Sequence, residues 1–189
     1  MSPNSSIIAY PWVTLGAIWL AAAAGKKPTI RRQPLPGRFL TFAVLLLGFA
    51  MNAGPYFNFG WLGARFVPYG NASFYTGFAI TVLGCAFAVW ARLTLGGNWS
   101  GRPSLMLGHE LITKGPYALA RHPIYTGLLM ATAGTALALG EWRNLLGALF
   151  VLAGLLFKMR DEEKIMLDAF PAAYPAYRRR VKALVPGVF

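Results

Sequence analysis

Long uncharged apolar runs alternate with short polar segments along the chain. Residues 7–24, 39–57 and 73–91 carry no charged side chain, and a fourth run, 124–158, is broken at Gly140-Glu141-Trp142-Arg143-Asn144. A helix that crosses a bilayer needs about 20 apolar residues, range about 17–25, so the first three runs predict spanning helices. The polar turn divides the fourth run into 124–139 and 145–157, which are short and predict a tight helical hairpin. The expected fold is all-α, a polytopic membrane helix bundle of about five transmembrane helices. Residues 1–6 hold no Lys or Arg, and the first basic cluster follows the first run. That order predicts an uncleaved anchor with its N-terminus outside, not a signal peptide.

Charge sharpens the topology. Five passes put segments 25–38, 92–122 and 158–189 on one side, with five, four and seven Lys or Arg, leaving only Arg65 and Arg143 for the other. This bias follows the positive-inside rule and predicts that the C-terminus and any site built by those segments are cytoplasmic. It also explains the net charge of +12 as a rim near anionic membrane lipids, which removes the case for nucleic acid as a partner. The chain is 56% hydrophobic and 13% charged. A soluble domain averages about 45–50% apolar and about 25% charged, so a soluble enzyme is not expected.

The strong polar clusters fall on the predicted cytoplasmic side. Segment 92–122 contains Gly-Gly and Gly-Pro turn signals together with Trp99, Leu105, Leu107, Leu111, Ile112 and Tyr117. It is expected as an ordered loop folded back onto the bundle, and long loops of that kind usually carry function. Arg121 and His122 stand just before Pro123, which suits a first helical position, and a helix N-terminus favours an anion. Taken alone, the pair reads equally as a snorkelling Arg and a capping His at the interface. Glu162 and Glu163 follow the last apolar run. Adjacent helical side chains point about 100° apart, so one at most is expected to face the bundle. Phe170, Tyr174, Tyr177 and Val181, with Arg178, Arg179 and Arg180 beside them, predict an amphipathic surface helix on the inner leaflet.

Other chemistries lack their residues. No G-x-G-x-x-G or P-loop is present. His109, His122 and the lone Cys85 are too few for a zinc or haem site, so no metal is expected. The apolar runs show no buried charge of the kind that marks an ion pathway.

Leu95-Gly-Gly-Asn-Trp-Ser100, His109-Glu-Leu-Ile-Thr-Lys-Gly-Pro-Tyr117, Arg121-His-Pro-Ile-Tyr-Thr-Gly127, Glu162-Glu163 and the Phe170…Tyr174…Tyr177 tail together resemble the isoprenylcysteine carboxyl methyltransferase family. That family lies within the phospholipid methyltransferase superfamily of integral membrane enzymes. The resemblance covers roughly residues 92–186. It implies one domain over 1–189, with generic transmembrane helices in 1–91 and a cofactor-binding and catalytic core in 92–189. The implied cofactor is S-adenosylmethionine, in a pocket formed by the cytoplasmic loop and the C-terminal surface helix. Carried over, Gly115, Pro116 and Tyr117 shape its wall, His122 and Tyr125 contact it, and Glu162 and Glu163 close it. His109, Leu111, Arg121 and Pro123 complete the implied cofactor-binding set. Arg160 would orient an anionic substrate group, and Glu163, or else Glu162 or His122, would serve as a base for an amine. The implied acceptor is a lipophilic or lipidated molecule entering from the bilayer, first a prenylcysteine-like carboxylate, alternatively a phospholipid amine. An NADPH-dependent sterol-reductase-like enzyme on a related core is a further alternative.

Overall fold

Glycine and proline set the helix boundaries of this chain. The computed structural model describes residues 5–22, 29–32, 35–53, 57–99, 104–106 and 110–188, so His109 lies outside the described residues. After α1 (Ala9–Ala21) and α2 (Leu35–Asn52), α3 (Asn71–Leu95) runs to Gly96, whose φ of +54° lets the chain leave the helix. Pro123 opens α4 (Pro123–Leu139), where its missing N–H costs nothing. Gly140 closes that helix in the left-handed region at φ +66°, its N–H donating to the Ala136 carbonyl at 2.8 Å. α5 (Trp142–Ala169) stops before Phe170-Pro171, because the residue ahead of proline is pushed out of helical geometry. α6 (Ala173–Arg180) follows.

α5 is a single 28-residue helix, about 42 Å at 1.5 Å per residue, which is longer than a hydrocarbon core of about 30 Å. Lys158 to Asp168 continue the helix because no residue among them breaks it, as the reading of Glu162 and Glu163 as helical neighbours requires. Two expected boundaries move. The polar turn shrinks to Gly140-Glu141: Arg143 and Asn144 enter the first turn of α5, buried, and both donate to the Met51 carbonyl of α2, at 3.2 and 3.4 Å. The first run forms a 3₁₀ turn, Ser5–Ile8, and the 13-residue α1. By length and composition α3 and α5 can each cross a membrane, while α1, α2 and α4 are shorter apolar helices.

Packing follows small residues. α4 lies chiefly against α3, and α5 against α2, although α4 and α5 are consecutive. Gly77, Thr81, Gly84 and Ala88 of α3 meet Gly127, Ala131, Gly134 and Ala138 of α4, and a Cβ added at any of these four glycines would come under 3.0 Å from the facing backbone. Such small-residue seams let membrane helices approach closely. Thr81 Oγ1 spends its hydrogen bonds inside the seam, on the Gly77 carbonyl at 2.9 Å and beside Thr135 Oγ1 at 3.3 Å. Gly48 and Gly147 make the corresponding close contact between α2 and α5.

The loop departs from expectation at its ends. Arg92 belongs to α3 and is 2% exposed, against the reading that the apolar runs bury no charge. Its guanidinium lies 4.3 Å from the Trp99 ring and donates to the Gly96 and Ala22 carbonyls, so two helix ends supply the negative partner. A short antiparallel pair, β1 (Thr29–Arg32) with β2 (Ser104–Met106), ties the α1–α2 connection to the loop and adds a two-stranded element to the all-α expectation. α6 turns its tyrosines inward. Tyr174 and Tyr177 are each 3% exposed within the protein, so these two members of the stripe pack on the bundle.

Candidate active site

The backbone of Arg121-His122 is held open by the chain's own C-terminal segment. Arg121 N–H donates to the Lys182 carbonyl at 2.8 Å and His122 N–H to the Ala183 carbonyl at 2.9 Å, and Thr126 Oγ1 donates to the Leu184 carbonyl at 2.7 Å. Ala183 and Leu184 are buried with Tyr117, Ile124 and Tyr125 in the main core cluster. This strap fixes the entry to α4 and aims both side chains at the end of α5.

There they meet the glutamate pair. Arg121 Nε and Nη2 donate to Glu163 Oε1 at 2.9 and 2.7 Å, while Arg121 Nη1 donates to the Val181 carbonyl at 2.6 Å. His122 stands between the carboxylates, with Nδ1 3.6 Å from Glu162 Oε2 and Nε2 3.4 Å from Glu163 Oε1. Both glutamates thus serve one histidine, which corrects the expectation that only one faces the bundle: the imidazole sits in the angle between their two directions. Burial alone would lower the His122 pKa, but hydrogen bonds and charge from Glu162 and Glu163 outweigh it and raise the pKa above the usual value. A helix N-terminus favours an anion. The anion at that position is Glu163, and Arg121 is committed to it.

The second carboxylate faces a cavity. Tyr125 stacks on the His122 ring, centroids 5.2 Å apart and planes 10° apart, and its hydroxyl donates to Glu162 Oε2 at 2.6 Å. Lys158 Nζ lies 3.9 Å from Glu162 Oε1 and 5.4 Å from the Tyr125 ring centre. Among the described residues no hydrogen bond reaches Oε1. The cavity has a volume of about 600 Å³, within the usual range for small-molecule sites of about 300–1,000 Å³. Glu110, Arg121, His122, Tyr125, Lys158 and Glu162 line its charged end; Trp12, Leu15, Leu45 and Phe49 line an apolar end between α1 and α2. Tyr117, Trp99, Tyr174 and Tyr177 form aromatic walls. Tyr177 donates its hydroxyl to the Tyr117 carbonyl, and burial pushes the Tyr177 pKa up to about 12, so the phenol stays neutral.

Of the site residues named from sequence, Leu111, Tyr117, Arg121, His122, Tyr125 and Glu162 line this cavity. Pro116 and Pro123 are fully buried behind it. Gly115 adopts φ +61° and backs onto Thr94. Glu163 holds Arg121 and His122 from outside the lining. Arg160 is exposed on α5 beside a separate small depression with Leu40, Phe157 and Lys164, so the structure does not bring it to the cavity. Sequence reasoning missed Lys158, Glu110 and the walls from α1. The i,i+4 spacing of Lys158 and Glu162 was a usable signal; nothing in the α1 sequence distinguishes its cavity face.

The groups on the lining suit the positioning of a bound ligand. Among the described residues the lining contains no Ser, Thr or Cys. It offers an open carboxylate oxygen, cations, aromatic faces and an apolar extension. That set suits a group passed directly between two bound molecules.

Comparison with known proteins points the same way. A family model described as phospholipid methyltransferase matches residues 72–173, slightly more than half of the chain, from the start of α3 into α6. The protein-S-isoprenylcysteine O-methyltransferase of Schizosaccharomyces pombe is 33% identical over 79 residues, 41% of this chain and 34% of that protein. The methanethiol S-methyltransferase 2 of Bradyrhizobium diazoefficiens is 40% identical over 74 residues, 39% of this chain and 27% of that protein. The cobalt-zinc-cadmium resistance protein CzcN of Cupriavidus metallidurans is 34% identical over 110 residues, 56% and 47% of the two chains. The matches span less than half the length of each of these curated relatives. The solved structure of the eukaryotic intramembrane Ras methyltransferase ICMT superposes with a TM-score of 0.53 at 24% identity, covering 82% of this chain and 54% of that one. That likeness is one of fold.

Proposed function

The chain belongs to the phospholipid methyltransferase family, and on that premise we propose that it is a membrane-embedded enzyme that methylates a lipophilic acceptor from S-adenosylmethionine. The acceptor group is a carboxylate of the prenylcysteine type, methylated on oxygen. One observation carries the reading: a single cavity joins a charged end at Glu162, His122 and Lys158 to an apolar end between α1 and α2.

The residues present fit the cofactor. Glu162 Oε1 is an open acceptor for an ammonium or ribose hydroxyl, and the faces of Tyr117, Tyr125 and Trp99 suit an adenine ring and a sulfonium cation. When bound, S-adenosylmethionine supplies a methyl group activated for direct displacement. The protein's share is alignment and exclusion of water. His122, locked between Glu162 and Glu163, fixes the carboxylate that faces the ligand. Lys158, which also lines the cavity, takes the role of steering the acceptor carboxylate that the sequence reading gave to Arg160. A carboxylate acceptor is already ionised at neutral pH, so no base is needed. The lopsided distribution of Lys and Arg supports a cytoplasmic charged end, where the cofactor enters from water and the acceptor from the bilayer.

Labelled methyl transfer in proteoliposomes tests this. S-farnesylcysteine derivatives should acquire a base-labile label, as a methyl ester does. Base-stable label on phosphatidylethanolamine would reassign the acceptor to a phospholipid amine, and transfer to neither would contradict the proposal.

A further inference from the structure

The helices contain glycines of two kinds. Gly48, Gly77, Gly84, Gly127, Gly134, Gly147 and Gly154 each face another helix so closely that an added Cβ would come under 3.0 Å from it. Gly16, in the middle of α1, differs: beyond its own helix backbone and chain neighbours, no atom of the described residues lies within 4 Å of where its Cβ would stand. Glycine inside a helix costs about 1 kcal/mol relative to alanine, and at Gly16 no packing contact accounts for that cost. Yet Gly16 lines the cavity, one helical turn from Trp12 on one side and from Trp19 on the other, and is exposed at its rim.

The flanking aromatics define what the empty space can take. Trp12 closes the apolar end: its indole N–H donates to Thr135 Oγ1 at 3.0 Å, and its ring meets Phe49 of α2 edge-on at 5.7 Å. Trp19 meets Trp99 edge-on at 6.0 Å toward the charged end. Between these two fixed pairs α1 lines the cavity with Leu15 and, one position on, with the bare backbone of Gly16. We propose that Gly16 is a specificity-determining residue that keeps a slot open for the acceptor's hydrocarbon chain, with the Trp12–Phe49 pair as the stop that limits its length. The assignment rests on the methyltransferase reading above and names the part of the acceptor that this face of α1 recognises.

Gly16→Leu would project into the slot from an open Cβ position, and it adds a better helix former, so the variant should fold. Gly16→Ala, a single added methyl, provides a graded second variant. Wild type and both variants would be tested for thermal stabilisation by S-adenosylhomocysteine and by N-acetylcysteine carrying prenyl, geranyl or farnesyl chains. Expected is an unchanged response to S-adenosylhomocysteine in all three proteins. Affinity for the farnesyl compound should fall roughly tenfold or more in Gly16→Leu, with a smaller loss in Gly16→Ala and little change for the prenyl compound. Equal farnesyl affinity in wild type and Gly16→Leu overturns the slot while leaving the methyltransferase reading intact. So does a wild type that answers S-adenosylhomocysteine but none of the isoprenyl compounds. No response to S-adenosylhomocysteine in any of the proteins removes the reading beneath it.

Discussion

Glu163 Oε1 accepts two hydrogen bonds from the Arg121 guanidinium, 2.9 Å from Nε and 2.7 Å from Nη2, and both side chains are largely buried. Breaking a buried pair from one side leaves a charge without a partner, which costs roughly 3 kcal/mol or more. Glu163→Gln should therefore lower the thermal midpoint in detergent and, by loosening His122, also weaken cofactor binding. The double variant with Arg121→Met should recover part of the stability. A midpoint unchanged by Glu163→Gln would show that the pair does not hold the end of α5.

His122 gives the fold a pH dependence of defined sign. Its folded pKa lies above the ordinary value because of Glu162 and Glu163. Its stabilising contribution is thus fully present below an unfolded pKa of about 6.5 and fades as pH rises through the raised folded value. Thermal unfolding of wild type and His122→Gln, compared from mildly acidic to alkaline pH, should show the widest gap at the acidic end. A gap that widens with pH would place the stabilising form in the neutral imidazole.

The α3–α4 seam predicts a contrast with Gly16. A Cβ at Gly84 would meet the Ala131 backbone and the Gly127 carbonyl at under 3.0 Å, and overpacking of this kind costs about 1–3 kcal/mol, more where backbone must move. Gly84→Leu should give a poorly folding, low-yield protein while Gly16→Leu purifies like wild type, as judged by size-exclusion profile. Equal behaviour of the two would contradict the packing described.

Arg160 and Lys158 separate the sequence-derived assignment from the structural one. Lys158 lines the cavity near Glu162, whereas Arg160 faces the separate depression beside Leu40. Arg160→Ala should leave methyl transfer and stability near wild type, within about 0.5 kcal/mol for the latter. Lys158→Ala should raise the KM for a carboxylate acceptor several-fold. The reverse pattern would return the orienting role to Arg160.

Much of this arrangement was legible in the sequence, for physical reasons that can be named. Pro123 and Gly140 bracket α4 because their backbone restrictions are local. The Gly-Pro-Tyr, Arg-His-Pro and Glu-Glu segments point to one site because charged residues are rare in so apolar a chain. Contacts made across the fold were not legible. That both glutamates reach His122 depends on where α4 begins relative to α5. The strap at Val181–Leu184 acts through backbone carbonyls, which any sequence supplies. Arg92 reads as the first residue of a solvated loop, since only the structure brings the Ala22 and Gly96 carbonyls to it. Tyr174 and Tyr177 carry the same amphipathic spacing whether they face lipid or protein.

The central claim is that the cavity beside Glu162 and His122 binds S-adenosylmethionine. Thermal stabilisation of the detergent-purified protein by S-adenosylhomocysteine tests it most directly, with NADPH in parallel and His122→Ala as the control. A ligand at about 100 times its dissociation constant stabilises by about 2.7 kcal/mol. The account predicts a shift with S-adenosylhomocysteine that is lost in His122→Ala and absent with NADPH. A wild-type protein that S-adenosylhomocysteine leaves unmoved, or that only NADPH stabilises, would contradict it.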